Sequence, residues 1–418
     1  MTTNLNSEPL AEPDPQVTTL KRTLNLPLLV LYGLGTTIGA GIYVLVGAAA
    51  ERAGIYAPMA FILAAIAIAP TAATYGELAS RFPVAAGEAA YVKEGFRSRW
   101  ISILSGWLVI ISGTVASAAI AIGCAGYLRT FVDLPLPWAL VLIISAMGLI
   151  AIWGILESVL LAALFTLIEA GGLFALIWAG LDTDLDLVSR IPETIPPFDD
   201  AVIMLGVSNA GLLAVFAFIG FEDMVNVAEE TKDPHKTLPN SIFLTLAITT
   251  ALYTAVTLVA VLAVSPSELA ASDAPLSLVF ERLTGMSPAA ISAIAIFATL
   301  NTILVQLIMV SRVLYGLAYQ KMLPSIFARV SKITRTPVIA TLTVVGAALV
   351  LAIWFPIQNL AEFTSQVVLA IWTLTNAALI LLKLRGVPAP ADGFITPIWV
   401  PVVGLLLSLA FIVISAIA

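Results

Sequence analysis

The sequence predicts an all-α, polytopic membrane protein, and three observations carry that reading. First, 60% of the residues are hydrophobic and only 11% are charged, against roughly 25% charged in an ordinary soluble domain. The mean hydropathy is +1.04, and no soluble core hides that much apolar surface. Second, the apolar residues run in long continuous stretches rather than alternating segments, which selects helices over a barrel. Eleven spans are expected, at 28–49, 57–79, 101–128, 137–155, 159–181, 204–227, 240–264, 288–316, 337–355, 361–383 and 396–417. Third, charge is sorted across those spans. With the amino terminus inside, fifteen of the 19 Lys and Arg face inward, and only Arg52, Arg129, Arg190 and Arg282 face outward. That asymmetry supports both the orientation and the count. An odd number of spans puts the carboxyl terminus outside, and the natural site is the cytoplasmic membrane.

Residues 1–22 read as a disordered cytoplasmic tail, with Pro9, Pro13 and Pro15 among acids and nothing that looks like a cleaved leader. The single cysteine, Cys124, lies in an apolar run, so neither a disulfide within the chain nor a thiolate metal site is expected. Two polar connections, 87–96 and 320–330, are amphipathic and predict short helices along the inner interface.

Two spans carry interruptions. The first reads Gly33-Leu-Gly35-Thr36-Thr37-Ile38-Gly39-Ala40-Gly41-Ile42-Tyr43, and the sixth reads Phe216-Ala217-Phe218-Ile219-Gly220-Phe221-Glu222-Asp223. They stand five spans apart, the spacing of an inverted repeat of five plus five helices with broken helices 1 and 6. The repeats then cover 23–185 and 186–385, and 386–418 adds one more transmembrane helix. An unwound helix at mid-membrane exposes N–H and C=O groups that lipid cannot satisfy, so it persists only beside a cavity or a ligand. Freed N–H groups attract a carboxylate and freed carbonyls an ammonium, and together they suit an amino acid. The glycines suit a second role equally, close packing of helices through small residues at four-residue spacing, as at Gly35 and Gly39.

Four stretches carry a resemblance to a known family: Gly33–Gly47, Tyr75–Pro83 (YGELASRFP), Phe216–Pro239 (FAFIGFEDMVNVAEETKDPHKTLP) and Ala298–Pro324. In them the chain resembles permeases of the amino acid–polyamine–organocation superfamily, and within it the cationic amino acid transporter-like branch. The resemblance implies a leucine transporter-like bundle with substrate bound between spans one and six. It implies that Thr37, Ile38, Gly39, Ala40 and Gly41 hold the substrate α-carboxylate and part of the amino group. Phe216, Ala217, Phe218 and Ile219 would supply carbonyls and side-chain walls, with Gly220 as the pivot. Two departures stand out. The family usually has twelve spans, and span five carries Glu169 where related proton-coupled members carry a lysine.

The expected activity is secondary active transport of amino acids by alternating access, as symport or exchange. Two intramembrane acids are candidates for proton coupling, Glu222 after the break and Glu169 in span five, since buried carboxyl groups are the usual parts of proton relays. Glu222 equally suits a latch on unwound backbone. Sodium is the competing ion, with Thr299 and Thr302 as its possible site, although such hydroxyls commonly bond the preceding turn. The apolar walls suit neutral substrates, and the acids leave arginine, lysine, polyamines or organic cations open. A transporter-like nutrient sensor is the remaining alternative. A membrane enzyme is disfavoured: there is no His-Glu-x-x-His, no Gly-x-Ser-x-Gly, and one histidine, His235, in a polar loop. No cofactor, metal or nucleic-acid partner is expected.

Overall fold

The computed structural model describes residue 22 and residues 24–84, 87–153, 159–183, 186–287, 289–319, 323–331, 336–390 and 392–417. The expected tail thus lies outside the described residues, apart from Arg22. Among the described residues, fourteen helices follow one another: α1 (Leu26–Ala53), α2 (Ala57–Arg81), α3 (Gly87–Phe96), α4 (Arg99–Leu128), α5 (Leu136–Trp153), α6 (Val159–Leu181), α7 (Ala201–Ala217), α8 (Pro234–Ala263), α9 (Pro266–Ala271), α10 (Pro275–Thr284), α11 (Ala289–Tyr319), α12 (Val338–Trp354), α13 (Ile357–Leu384) and α14 (Trp399–Ile417). All but the short α3, α9 and α10 coincide with the eleven expected spans. Among the described residues, seven helical stretches are long and apolar enough to cross a membrane, and four apolar helices are shorter.

Local chemistry starts these helices where the apolar runs begin. The Asn25 side chain accepts from the Leu28 amide at 3.2 Å, ahead of α1. Asp200 accepts from the Val202 and Ile203 amides at 2.9 and 3.1 Å, ahead of α7. Such caps satisfy amides that a helix start leaves without a partner.

Helix α1 runs through the centre, packed against α2, α6, α7, α8 and α11. Its Leu29, Ile38, Ile42, Tyr43, Leu45 and Val46 are fully buried. The periphery is the reverse. Trp138 and Leu149 on α5 are each 66% exposed, and Trp354 and Leu406 are exposed on α12 and α14. A ring of bare large apolar side chains is stable in lipid and not in water.

The interruption expected in span one is not there: α1 is helical without a break from Leu26 to Ala53. Its glycines serve packing instead. A Cβ on Gly41 would fall on the Cα and Cβ of Ala217 in α7, and one on Gly39 would lie 2.7 Å from the Ala298 carbonyl oxygen of α11. Gly35 and Gly33 give the same clearance to Thr166 and to Met224 and Thr245. One helix therefore meets its neighbours at backbone distance, the small-residue contact of membrane bundles.

Span six does break. Helix α7 ends at Ala217, ten residues short of the expected boundary, and the chain continues as a 3₁₀ segment, Glu222–Glu230. The amide of Lys232 then bonds the Leu24 carbonyl at 2.8 Å, tying the far end of this segment to the entry of α1.

The carboxyl-terminal ends of α2 and α13 share a buried ion group. Glu77 is fully buried and accepts from Arg81 Nε and Nη2 at 2.9 and 2.7 Å and from Lys383 Nζ at 2.7 Å. Its second oxygen takes the Thr396 amide and hydroxyl at 2.8 and 2.6 Å, from the connection between α13 and α14. Removing one partner of a buried ion group strands the others, at a cost of roughly 3–5 kcal/mol. Glu77→Ala is expected to lower the melting temperature of the detergent-purified protein far more than Asp392→Ala, on the same connection but outside this group. Gly41→Val is expected to destabilise by about 1–3 kcal/mol through overpacking. Gly346→Ala, whose Cβ meets nothing within 4 Å, is expected to leave melting unchanged.

Candidate functional site

The break in α7 is built from backbone groups that find new partners one by one. Phe218 and Ile219 bond the Val215 and Phe216 carbonyls at 3.0 and 3.2 Å, closing the helix with tight turns. Gly220 has φ +125°, a conformation that L side chains rarely adopt, and a Cβ there would lie 2.7 Å from the Thr36 carbonyl oxygen. The Gly220 amide donates to the Glu222 carboxylate at 3.0 Å. The Gly220 carbonyl accepts from the Thr36 hydroxyl at 3.1 Å, a hydroxyl that also reaches the Gly33 carbonyl at 3.0 Å. The Tyr253 hydroxyl of α8 bridges the Thr37 and Ala217 carbonyls at 2.8 and 3.1 Å. Thr36 and Tyr253 thus clamp the break against the face of α1, and Glu222 ties it within itself.

Two small cavities flank the clamp, each of about 20 Å³. A water needs roughly 10–15 Å³, so each admits a water or an ion and neither admits an amino acid. One cavity is lined by Thr36, Thr166, Asn301, Thr302, Asp223 and Gln306 among others. The second includes Tyr75, Glu88, Ser112, Ile219, Glu222 and Trp372, and shares Asp223 and Gln306 with the first. Among the described residues, no Lys, Arg or His lines either one.

Of the residues expected at the site, Ile219, Glu222 and Thr302 line these cavities. Thr37, Ile38, Phe216, Ala217 and Phe218 are instead buried, Gly41 and Gly220 lie where α1 meets the end of α7, and Gly39 faces α11; none of them lines either cavity. The side chain of Ala40 lies outside the described residues. Since α1 is continuous, its amides in this stretch are within a helix rather than free. The Thr299 hydroxyl bonds the Ala295 and Ile296 carbonyls at 2.7 and 3.0 Å, and Thr302 bonds Ala298 at 3.1 Å. Glu169 is 1% exposed and lines neither cavity, and neither of its carboxyl oxygens has a hydrogen-bond partner among the described residues. Its backbone carbonyl takes the Tyr43 hydroxyl at 2.9 Å.

Sequence reasoning missed Glu88, Gln306 and Asp223 as parts of a site. Helix α3, expected along the interface, turns Glu88 and Tyr91 inward, and Gly95 packs on the Ala378 backbone of α13. Tyr75 donates to Glu88 at 3.2 Å. Burial pushes the Glu88 carboxyl above its ordinary range, and hydrogen bonds from its own amide and from Tyr75 partly oppose this. Gln306 stands four residues after Thr302, on the same face of α11, a spacing that could have found it. Tyr75 and Trp372 line the second cavity, and Phe221 joins them into an aromatic cluster, with its ring centroid 5.7 and 5.4 Å from theirs.

A bundle of apolar helices around one continuous and one broken central helix defines a polytopic membrane protein of the permease kind. The chain belongs to the amino acid permease family, which it matches over residues 24–418. It is 31% identical over 405 residues to a vacuolar cationic amino acid transporter of Arabidopsis thaliana, covering 88% of this chain and 64% of that protein. It is 28% identical over 387 residues to a branched-chain amino acid permease of Bacillus subtilis (strain 168), covering 89% and 83%. A methylthioribose transporter of the same bacterium is 28% identical over 407 residues, covering 92% and 86%. The chain spans less than two thirds of the length of the plant relative.

The raised Glu88 carboxyl has a consequence for stability. A group whose folded value is raised contributes stability below its unfolded value and loses it as pH rises through the folded value. Glu88→Gln is therefore expected to melt above the wild type on the alkaline side of the ordinary glutamate range. That advantage shrinks or reverses on the acid side, as read by melting across pH.

Proposed function

We propose that this protein carries amino acids across a membrane by alternating access, as a secondary transporter coupled to protons through Glu222. The observation that carries the reading is the bond from the Gly220 amide to the Glu222 carboxylate at the break, beside a small cavity. An ionised carboxylate holds that amide strongly. Protonation weakens the hold, frees the pivot and lets the two halves of span six change angle. Substrate would bind along the seam of Thr37, Ile38, Gly39, Ala40 and Gly41 with Phe216, Ala217, Phe218, Ile219 and Gly220, where opening exposes the Thr37 and Ala217 carbonyls now held by Tyr253. Glu169, buried on the neighbouring α6, is the second candidate for a proton. The family and the relatives support amino acid transport. The placement of α1 against α7, five spans on, supports repeats over 23–185 and 186–385 with 386–418 added. The distribution of Lys and Arg supports an inward amino terminus in a cytoplasmic membrane.

Sodium is less well supported at the Thr299 and Thr302 hydroxyls, since each is turned onto its own helix. In proteoliposomes, an inward proton gradient is expected to stimulate uptake of a radiolabelled amino acid. Glu222→Gln is expected to keep substrate exchange and lose the stimulation. Gradient-driven uptake undiminished in Glu222→Gln would overturn the coupling role.

A further inference from the structure

We infer that Asp223 and Gln306, where the two cavities meet, form a binding site for one monovalent cation, with Glu88 facing the same space. For its use in transport the inference rests on the permease reading above; for its existence it rests on the geometry.

Asp223 is 7% exposed and Gln306 5%. Each keeps a buried acceptor oxygen, Asp223 Oδ2 and Gln306 Oε1, with no hydrogen-bond donor among the described residues. Both side chains line both cavities. Two unmet acceptors at one junction, one of them on an acid, are costly in a dry interior and point to a ligand that brings positive charge or donors.

The rest of the lining agrees. Thr36, Thr302 and Asn301 add oxygens on one side, Ser112, Glu88 and Glu222 on the other, and among the described residues no basic side chain is present to neutralise the acids. Oxygen-rich walls suit a hard alkali cation or an ammonium group rather than a transition metal. Glu222 is already engaged with the Gly220 amide and Glu88 with the Tyr75 hydroxyl, so Asp223 is the carboxyl with an oxygen to spare. The volume sets the size. About 20 Å³ on each side takes an ion or the head of an ammonium, and not a whole amino acid. Glu169 is the useful contrast, since its carboxyl is also unpartnered and yet lines neither cavity.

Two sources share this chemistry: free sodium or potassium, and the charged end of a cationic substrate's side chain. They are separated by melting of the purified full-length protein, which requires no transport. Sodium, potassium and choline chlorides are compared at equal ionic strength, alongside lysine, leucine and cadaverine. The site predicts a rise in wild-type melting, by mass action, either with an alkali cation over choline or with lysine and cadaverine over leucine. The first outcome identifies an inorganic ion and the second a side-chain head. In Asp223→Asn the apparent affinity is expected to fall about tenfold or more, the loss of one charge-assisted contact. Gln306→Met, which keeps the volume and removes the oxygen, is expected to weaken it as well and serves if Asp223→Asn does not fold. No cation-dependent rise in the wild type, or the same rise in both variants, overturns the site. Failure of the permease reading would show instead as absent uptake in proteoliposomes, with the melting response intact.

Discussion

The architecture depends on how closely α1 and α7 approach. At Gly41 and Ala217 the two helices come within backbone distance, with no space for even one methyl group on α1. That approach brings the α1 carbonyls to the point where α7 stops, so a Thr36 hydroxyl and a Tyr253 hydroxyl can bridge the two spans. A larger residue in α1 would push these groups out of bonding range and leave the broken span with polar groups that lipid cannot satisfy. The break is therefore a property of the pair of helices rather than of α7 alone. The flanking cavities and the acids around them follow from it.

The energetics of the acids explain why the polar centre sits where it does. Glu77, near the carboxyl-terminal end of α2, is matched by two cations and two donors from Thr396 and acts as a tie between spans. Glu88, Glu222 and Asp223 line a cavity with no cationic side chain among the described residues. Such groups cost folding energy and are kept in membrane proteins where they bind or transfer charge. Glu77 is fixed by matched partners, whereas Asp223 keeps an oxygen without a donor beside a hinge, where Gly220 holds a positive φ.

Much of this is legible in the sequence, for reasons that are themselves physical. A membrane span needs about 20 apolar residues, so the apolar runs alone mark the eleven apolar helices. The break at Gly220 is legible because a glycine followed by two acids at mid-membrane is a poor continuation of a lipid-embedded helix. The state of span one is not legible. Glycines at Gly33, Gly35, Gly39 and Gly41 favour unwinding and close packing equally, and only the positions of Ala217, Thr302 and Thr166 decide for packing. Glu88 is hidden because a ten-residue amphipathic stretch does not reveal which face turns inward. Asp223 is masked by its neighbour Glu222, whose oxygen is engaged while that of Asp223 is not.

The most direct test of the central claim, that Glu222 holds the break through the Gly220 amide, is hydrogen–deuterium exchange over the segment containing Phe216–Met224, corrected for intrinsic rates, at neutral and acid pH. The account predicts that the Gly220 amide is protected in the wild type at neutral pH. Protection falls on acidification, and in Glu222→Gln it is low at both pH values. Protection that is the same in the wild type and in Glu222→Gln, and indifferent to pH, would contradict it.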